Sequence, residues 1–380
     1  MNNSFKKIRY VSLVVFLITL FLVPQEIQHD STVVNIEVPV RVYSKGVFVE
    51  NLNLEDFEIF EDGRPQTLES VYLIRKTNVA REEGNPNLRP TISRQFVLLF
   101  ALQEYLPRVG DALKYFFSQV LTPADTLQVV TPAKTYNLKP ESYQRLPKEK
   151  IADQIRRKLR ADIQLGNSEY RSAIRHLEDI MRFDVDPEVK QIMYMDQVRI
   201  FKDLKYMDRE RLLSFADYLK GREGQKIVFL FYQKELIPVL PGLDEFSQME
   251  LIKEVNFDTD EILKAYSDAS ISIHFLFVTN KGMREDIDVR GMAPLRVDLL
   301  DMSDRIFAAF KTVARATGGV AESSQNAAAA FRTAADATEN YYLVYYRPAD
   351  YRADGKFRKI EVKVKGRRYR VLHRAGYIAD

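Results

Sequence analysis

Four histidines are the first residues to test for acid–base or metal chemistry, since an imidazole titrates near neutrality and ligates transition metals. His29, His176, His274 and His373 are spread over the whole chain, and only His176 has a carboxylate, Asp179, one helical turn onward. A surface pair on a helix explains that spacing better than a metal site, which needs further ligands. His274 stands in ISIHFLF, where a packed imidazole on a strand face is expected rather than a general base, which needs a partner within hydrogen-bond reach. Paired carboxylates such as Glu82-Glu83, or Asp258 with Asp260, lie in polar stretches, so solvated loops account for them better than two-carboxylate glycoside chemistry. Glu285, Asp286 and Asp288 in MREDID are the nearest candidates for a Ca²⁺ cluster, but they lack the EF-hand order and read as a solvated acidic loop. No Gly-x-Ser-x-Gly elbow, His-Glu-x-x-His, phosphate loop or Gly-x-Gly-x-x-Gly occurs. With no Cys in the chain, disulfides, thiolate metal sites, iron–sulfur clusters and thiol nucleophiles are excluded.

Charge narrows the partners. The 56 Lys+Arg against 53 Asp+Glu give +3, and setting aside Lys6, Lys7 and Arg9 with the N-terminal segment brings the balance to zero. A neutral chain argues against nucleic-acid binding, which needs a net basic footprint. The run from Lys356 through Arg358, Lys359, Lys363, Lys365, Arg367, Arg368 and Arg370 to Arg374 could attract an acidic surface. Exposed Lys guarding an edge strand against aggregation is the stronger explanation.

The elements that must position any site follow from hydropathy. Lys6, Lys7 and Arg9 precede the 13-residue apolar stretch Val11 to Val23, which predicts a secretory signal over residues 1–24. It falls short of the roughly 20 residues that span a bilayer. Val23, Pro24 and Gln25 offer no small-x-small cleavage pattern, so an uncleaved anchor is the alternative, and the rest of the chain is expected outside the cytoplasm, periplasmic or secreted. With 46% apolar and 29% charged residues over 380, about two folded domains are expected.

Val34, Ile36, Val38, Val40 and Val42 alternate with polar residues, a half-buried strand whose Pro39 calls for an edge or a bulge. Turns at Lys45-Gly46 and Asp62-Gly63 complete a β segment over 30–75. Residues 76–94, with Gly84, Pro86 and Pro90, read as a linker. From 95 to 338 the chain alternates apolar runs (FVLLFAL, KIVFLFY, ISIHFLFV) with helical stretches, which predicts a mostly parallel sheet flanked by helices. Helices are expected from Lys148 to Ile163, again from Asn167 or Ser168, from Asp186-Pro187 to near Gly221, and from Asp304 to Ala316 before Thr317-Gly318-Gly319. Residues 339–380 return to β patterning, and since short hairpins are marginal alone, 30–75 and 339–380 are expected to pair into one small β-sandwich around the α/β block.

The segment LNLEDFEIFEDGRPQTLESV, the strands RQFVLLF and KIVFLFY, the ATGG step and the ending ENYYLVYYRPADYRADGKFRKIEVKVKGRRYRVLHRAGYIAD resemble the bacterial secreted proteins that carry a von Willebrand factor type A-related domain. The resemblance covers nearly the whole mature chain, and its first and last blocks are the most specific. It implies a Rossmann-like type A domain flanked by β structure and used for protein or matrix binding rather than catalysis. The family's metal-ion-dependent adhesion site needs Asp-x-Ser-x-Ser after the first strand, with a Thr and an Asp from later loops, to offer hard oxygens to Mg²⁺. In this chain Ala101 stands for the Asp, Gln103 and Tyr105 for the serines, and Tyr232-Gln233 for the loop Asp. Ser168 is the one residue near the position of the Thr. An alanine methyl cannot ligate, so these six residues are expected to be altered metal-site positions that hold no metal and no cofactor, with Tyr105, Tyr232, Gln103 and Gln233 clustered as a Tyr-rich polar patch at the top of the sheet. A non-enzymatic extracytoplasmic module that binds a protein partner is the leading expectation. A divalent-cation-dependent adhesin with a rebuilt site and a hydrolase of unrecognised kind are the alternatives.

Overall fold

A computed structural model describes residues 34–204, 207–239, 248–249, 252, 258–279, 297–366 and 368–380. The signal expected over 1–24, His29, the MREDID acids and Arg367 lie outside the described residues. The body from Asn35 to Asp380 is mixed α/β, with one mostly parallel sheet covered by helices and separate antiparallel sheets. No helix among the described residues is long and apolar enough to cross a membrane.

The first strands are β1 (Ile36–Ser44), β2 (Val47–Phe48), β3 (Phe57–Glu61), β4 (Arg64–Gln66), β5 (Leu68–Arg75) and β6 (Asn78–Gly84). The turns before β2 and β4 place Lys45, Gly46, Asp62 and Gly63 at positive φ, the conformation that two-residue hairpin loops demand. Strands β7 (Arg94–Ala101), β8 (Thr126–Val130), β9 (Thr135–Leu138), β10 (Gln225–Tyr232), β11 (Leu236–Pro238), β12 (Ile271–Val278), β13 (Leu299–Asp301) and β14 (Ala321–Ser324) belong to the central block. Its helices are α1 (Pro107–Tyr115), α2 (Pro140–Arg145), α3 (Lys148–Arg182), α4 (Pro187–Leu204), α5 (Arg209–Lys220), α6 (Thr259–Asp268), α7 (Ser303–Ala316) and α8 (Ala327–Glu339). The chain ends in β15 (Asn340–Tyr346), β16 (Phe357–Val364), β17 (Arg370–Leu372) and β18 (Gly376–Ile378).

The parallel sheet has the order β14-β12-β10-β7-β8-β9, with only β9 antiparallel to its neighbour. Because successive side chains point to opposite faces, its apolar runs feed two cores. Val97, Val228, Leu230, Tyr232, Ile273 and Phe275 pack under α4 to α7, while Phe96, Leu98, Phe100, Phe229, Phe231 and Leu276 pack under α1, α8 and the first half of α3. Gly319 lets the chain cross β12 after α7, since a Cβ there would lie 1.9 Å from the Ile273 carbonyl oxygen.

The N- and C-terminal strands do pair. β1 lies antiparallel to β15 in the sheet β17-β1-β15-β5-β6, and β3 pairs with β16 in the sheet β18-β16-β3-β4. The two antiparallel sheets touch where Phe57 packs edge-on against Tyr342 and the Tyr346 hydroxyl donates to Glu61 at 2.6 Å. Pro39 faces Leu343 on β15, and β17 pairs only with Arg41 to Tyr43, so the proline sits where the other side of β1 has no ladder to break.

Five sequence expectations need correction. Residues 78–84 of the expected linker form β6, because a polar strand at a sheet edge needs no apolar face to be ordered by backbone pairing. No new helix starts at Asn167 or Ser168: α3 runs unbroken for 35 residues, since Ala173, Ile174, Leu177 and Ile180 extend the buried face begun by Ile151 and Ile155. The single helix expected to Gly221 is two helices, the second capped by Asp208, whose carboxylate accepts the Arg211 amide. Strand β1 is not half exposed, since Arg41 on its expected polar face is 2% exposed. Finally, β16 has β18 and β3 as neighbours and Arg374 is buried, so the basic run is not one guarded edge.

Candidate functional site

Ligands of an open α/β sheet bind at the carboxyl ends of its strands. Here that edge is formed by Ala101, ending β7, and Tyr232, ending β10, which are register partners in the parallel ladder. The strands extend this far because every residue of β10 is buried, so nothing in the run calls for a turn before Gln233. The Gln233 amide then bonds the Ala101 carbonyl at 3.2 Å, carrying the ladder one step past the strands.

The Gln233 side chain closes the loop between β7 and α1. Its Oε1 accepts the backbone amides of Gln103 and Glu104, each at 2.9 Å. Gln103 answers with its own carboxamide, which donates to the Lys234 carbonyl at 3.4 Å. Two consecutive amides aimed at one point form a small anion-binding nest. A neutral carboxamide oxygen satisfies it from inside the chain. Gln233 is 4% exposed, so this clasp is part of the interior.

The remaining expected site residues do not converge. Tyr232 is wholly buried and its ring lies among Phe275 and Phe277, on the α4 to α7 side of the sheet. Its hydroxyl makes no hydrogen bond of ordinary geometry, and burial, reinforced by Glu235, holds it far above the usual phenol pKa. Tyr105 lies on the opposite side, with its hydroxyl against Gly110 of α1 and close to Arg156 of α3. Ala101 is 3% exposed and packs in the same core as Tyr232. Ser168 is exposed in the middle of α3 rather than on a loop. The Tyr-rich polar patch expected from the sequence is therefore not formed: Tyr232 is buried at the end of β10 in the core under α4 to α7, while Tyr105, on the loop between β7 and α1, packs half-buried against the core on the other face of the sheet.

Glu235, Asp301 and Ser303 were missed by sequence reasoning. Glu235, 3% exposed, accepts the Met207 amide at 3.2 Å, and its own amide donates to the Ser303 hydroxyl at 3.2 Å. Ser303 in turn donates from both its hydroxyl and its amide to Asp301. A glutamate three residues past an unbroken apolar strand was the available signal. These acids are already engaged by amides and a hydroxyl, which orders the β10–β11 and β13–α7 connections.

The donor set does not fit the magnesium site that the resemblance implies. A hard cation needs several oxygens at about 2.0 to 2.1 Å, whereas this edge offers a methyl group, a carboxamide oxygen committed to two amides, and a buried neutral phenol. Among the described residues no group of three or more His, Cys, Asp or Glu is placed to hold a metal ion. The described histidines add no site. His274 is fully buried, stacked 5.0 Å from Phe229, with both ring nitrogens unpartnered, and burial holds it neutral. His176 is exposed on α3, where Asp179 instead meets Arg182 at 4.0 Å.

A concavity lies elsewhere, between α1 and α8. It encloses about 620 Å³ and is lined by Arg108, Lys114, Tyr115 and Arg332, with Asp111 as its one carboxylate. Comparison with protein-family models, with curated proteins and with solved structures finds no match.

Proposed function

We propose that the chain is a non-enzymatic, extracytoplasmic protein-interaction module: a von Willebrand factor A-like α/β domain held in a small β-sandwich, binding its partner without a divalent cation. One observation carries the reading. The Gln233 carboxamide holds the Gln103 and Glu104 amides where the resembling family would place a cation and its ligands. An adhesion site of that family works by leaving one metal position open for a carboxylate of the partner. Here the equivalent position is closed by an internal acceptor, so the top of the sheet serves as a rigid support and recognition falls to its surroundings.

The test is a pull-down from envelope extract with and without chelator, paired with calorimetry of the purified chain against Mg²⁺, Mn²⁺ and Ca²⁺. The same partner is expected in both pull-downs, with no heat from any of the three ions. A partner released by chelator, or a cation that binds and is lost on substituting Gln233, would overturn the reading in favour of cation-dependent adhesion.

A further inference from the structure

The concavity between α1 and α8 follows from two helix faces. Arg108, Asp111, Tyr115 and Ser118 lie at i, i+3, i+7 and i+10, one stripe along α1 and its continuation, with Lys114 beside it. Ala328, Ala329 and Arg332 form the facing stripe on α8. The two alanines leave the opening that a larger pair of side chains would fill.

Three cations and one carboxylate share this groove, and none of Arg108, Lys114 and Arg332 forms an ion pair within 4 Å among the described residues. Arg332 is held in place all the same. Its guanidinium lies over the Tyr115 ring, 5.1 Å from the centroid, and the Tyr115 hydroxyl is tied to Asp336 at 3.1 Å. Positioning one cation on an aromatic floor lowers the entropy lost when an anion arrives.

The spacing selects the kind of anion. Six residues of helix separate Arg108 from Lys114, about 9 Å along the axis, which is wide for a single phosphate. Side chains on one face of an extended chain recur every two residues, about 7 Å apart, or about 13 Å for the next but one, so a strand-like segment carrying several carboxylates brackets the distance between the two cations while Arg332 takes one from the other wall. Arginine is suited to this because its planar fork meets a carboxylate through two hydrogen bonds.

We infer that the α1–α8 groove is the docking site for an acidic, extended segment of a protein partner, with Arg108, Lys114 and Arg332 as its carboxylate-binding residues. This rests on the interaction-module reading and names the chemistry of the partner. The test uses the purified chain and fluorescein-labelled hexaglutamate, read by polarisation, with hexalysine and inorganic pyrophosphate as comparison probes. Hexaglutamate is expected to bind, to weaken as salt is raised, and to lose about tenfold or more in affinity in the R108A/R332A double variant. Both side chains are exposed, so the variant should keep its circular dichroism and melting temperature, and the charge reversal Arg108→Glu gives a second reading of the same site. No binding of hexaglutamate, equal binding by the double variant, or a preference for hexalysine would overturn the assignment. Pyrophosphate displacing the peptide at stoichiometric amounts would overturn it too, in favour of a small phosphate site. If the chelator-resistant pull-down succeeds and the double variant still captures the partner, the groove fails while the module reading stands.

Discussion

At the amino ends of the parallel strands the protein buries charge against partners, whereas over β7 and β10 at the carboxyl ends a carboxamide, a methyl and a phenol close the surface. At the first end the Arg94 guanidinium grips Asp125 through two hydrogen bonds of 2.9 and 2.7 Å, and both side chains are fully buried. Nearby, the Gln225 carboxamide and the Tyr345 hydroxyl donate to Glu37 at 2.9 and 2.5 Å, and Arg374 reaches the Glu37 carbonyl and the Ser270 hydroxyl. This is where the antiparallel sheets meet the α/β block, so the buried charges join one layer to another. Buried carboxylates also lie past the carboxyl ends, where Glu235 accepts the Met207 amide and Asp162 the Thr131 and Tyr136 hydroxyls, but the fully buried Arg94–Asp125 pair stands at the end away from the expected ligand edge.

Replacing one partner of the buried pair should have the largest effect. Asp125→Ala strands the Arg94 guanidinium and frees the Thr122 amide and hydroxyl that Asp125 also accepts, for an expected loss of about 3–5 kcal/mol. Urea unfolding measures it, and a loss below about 1 kcal/mol would erase the contrast between the two ends.

At the other end, Gln233→Ala leaves two partly buried amides without an acceptor, an expected cost of about 1–2 kcal/mol. Gln233→Glu keeps the acceptor, so it should recover most of that loss. A melting temperature of Gln233→Glu that rises with added Mg²⁺ would show that the edge had kept a latent cation site.

A smaller effect, of opposite sign, is expected at His274, whose ring nitrogens are desolvated without compensation. His274→Leu should leave stability unchanged or raise it by about 1 kcal/mol. Chemical denaturation at pH 7 checks this, and a clear loss would mean that the imidazole has a hydrogen-bonding role.

The smallest effect is a change of slope. Burial raises the Glu37 carboxyl above its ordinary value of 4.5, despite the opposing hydrogen bond from Tyr345. The folded chain thus retains a proton that the unfolded chain has released. The stability contributed by this group is complete below pH 4.5 and declines as the pH rises through the raised folded value. Glu37→Gln cannot titrate, so its stability should fall less than that of the parent over that window. Parallel profiles for the two proteins would remove Glu37 from the account.

Much of this arrangement was readable from residue order. The strands over KIVFLFY and ISIHFLFV were found because an unbroken apolar run of that length needs cover on both faces, and β12 occupies Ile271 to Val278 as expected. The turns at Lys45-Gly46 and Asp62-Gly63 were visible because positive φ restricts the residue types allowed. The continuous α3 was not, since Gly166 and Asn167 favour a break locally and only packing along the whole buried stripe overrides them. Strand β6 was hidden because its order comes from backbone pairing with β5. At the candidate edge, the inability of Ala101 to ligate a cation was plain in the sequence. The Gln233 clasp was not, because it joins residues 130 positions apart. The groove is harder still, as Arg108 and Arg332 meet only once α1 and α8 lie side by side.

The pairing of β1 with β15 has a consequence for biogenesis. The Tyr345 hydroxyl reaches the Glu37 carboxylate across 308 residues of chain, so during synthesis β1 must wait, with one ladder unfilled, until β15 has emerged. Non-local strand pairing of this kind is slow to form and leaves an exposed edge in the meantime. A chain stopped at Glu339 would keep its α/β block but never receive β15, and its orphaned early strands would be free to associate with one another.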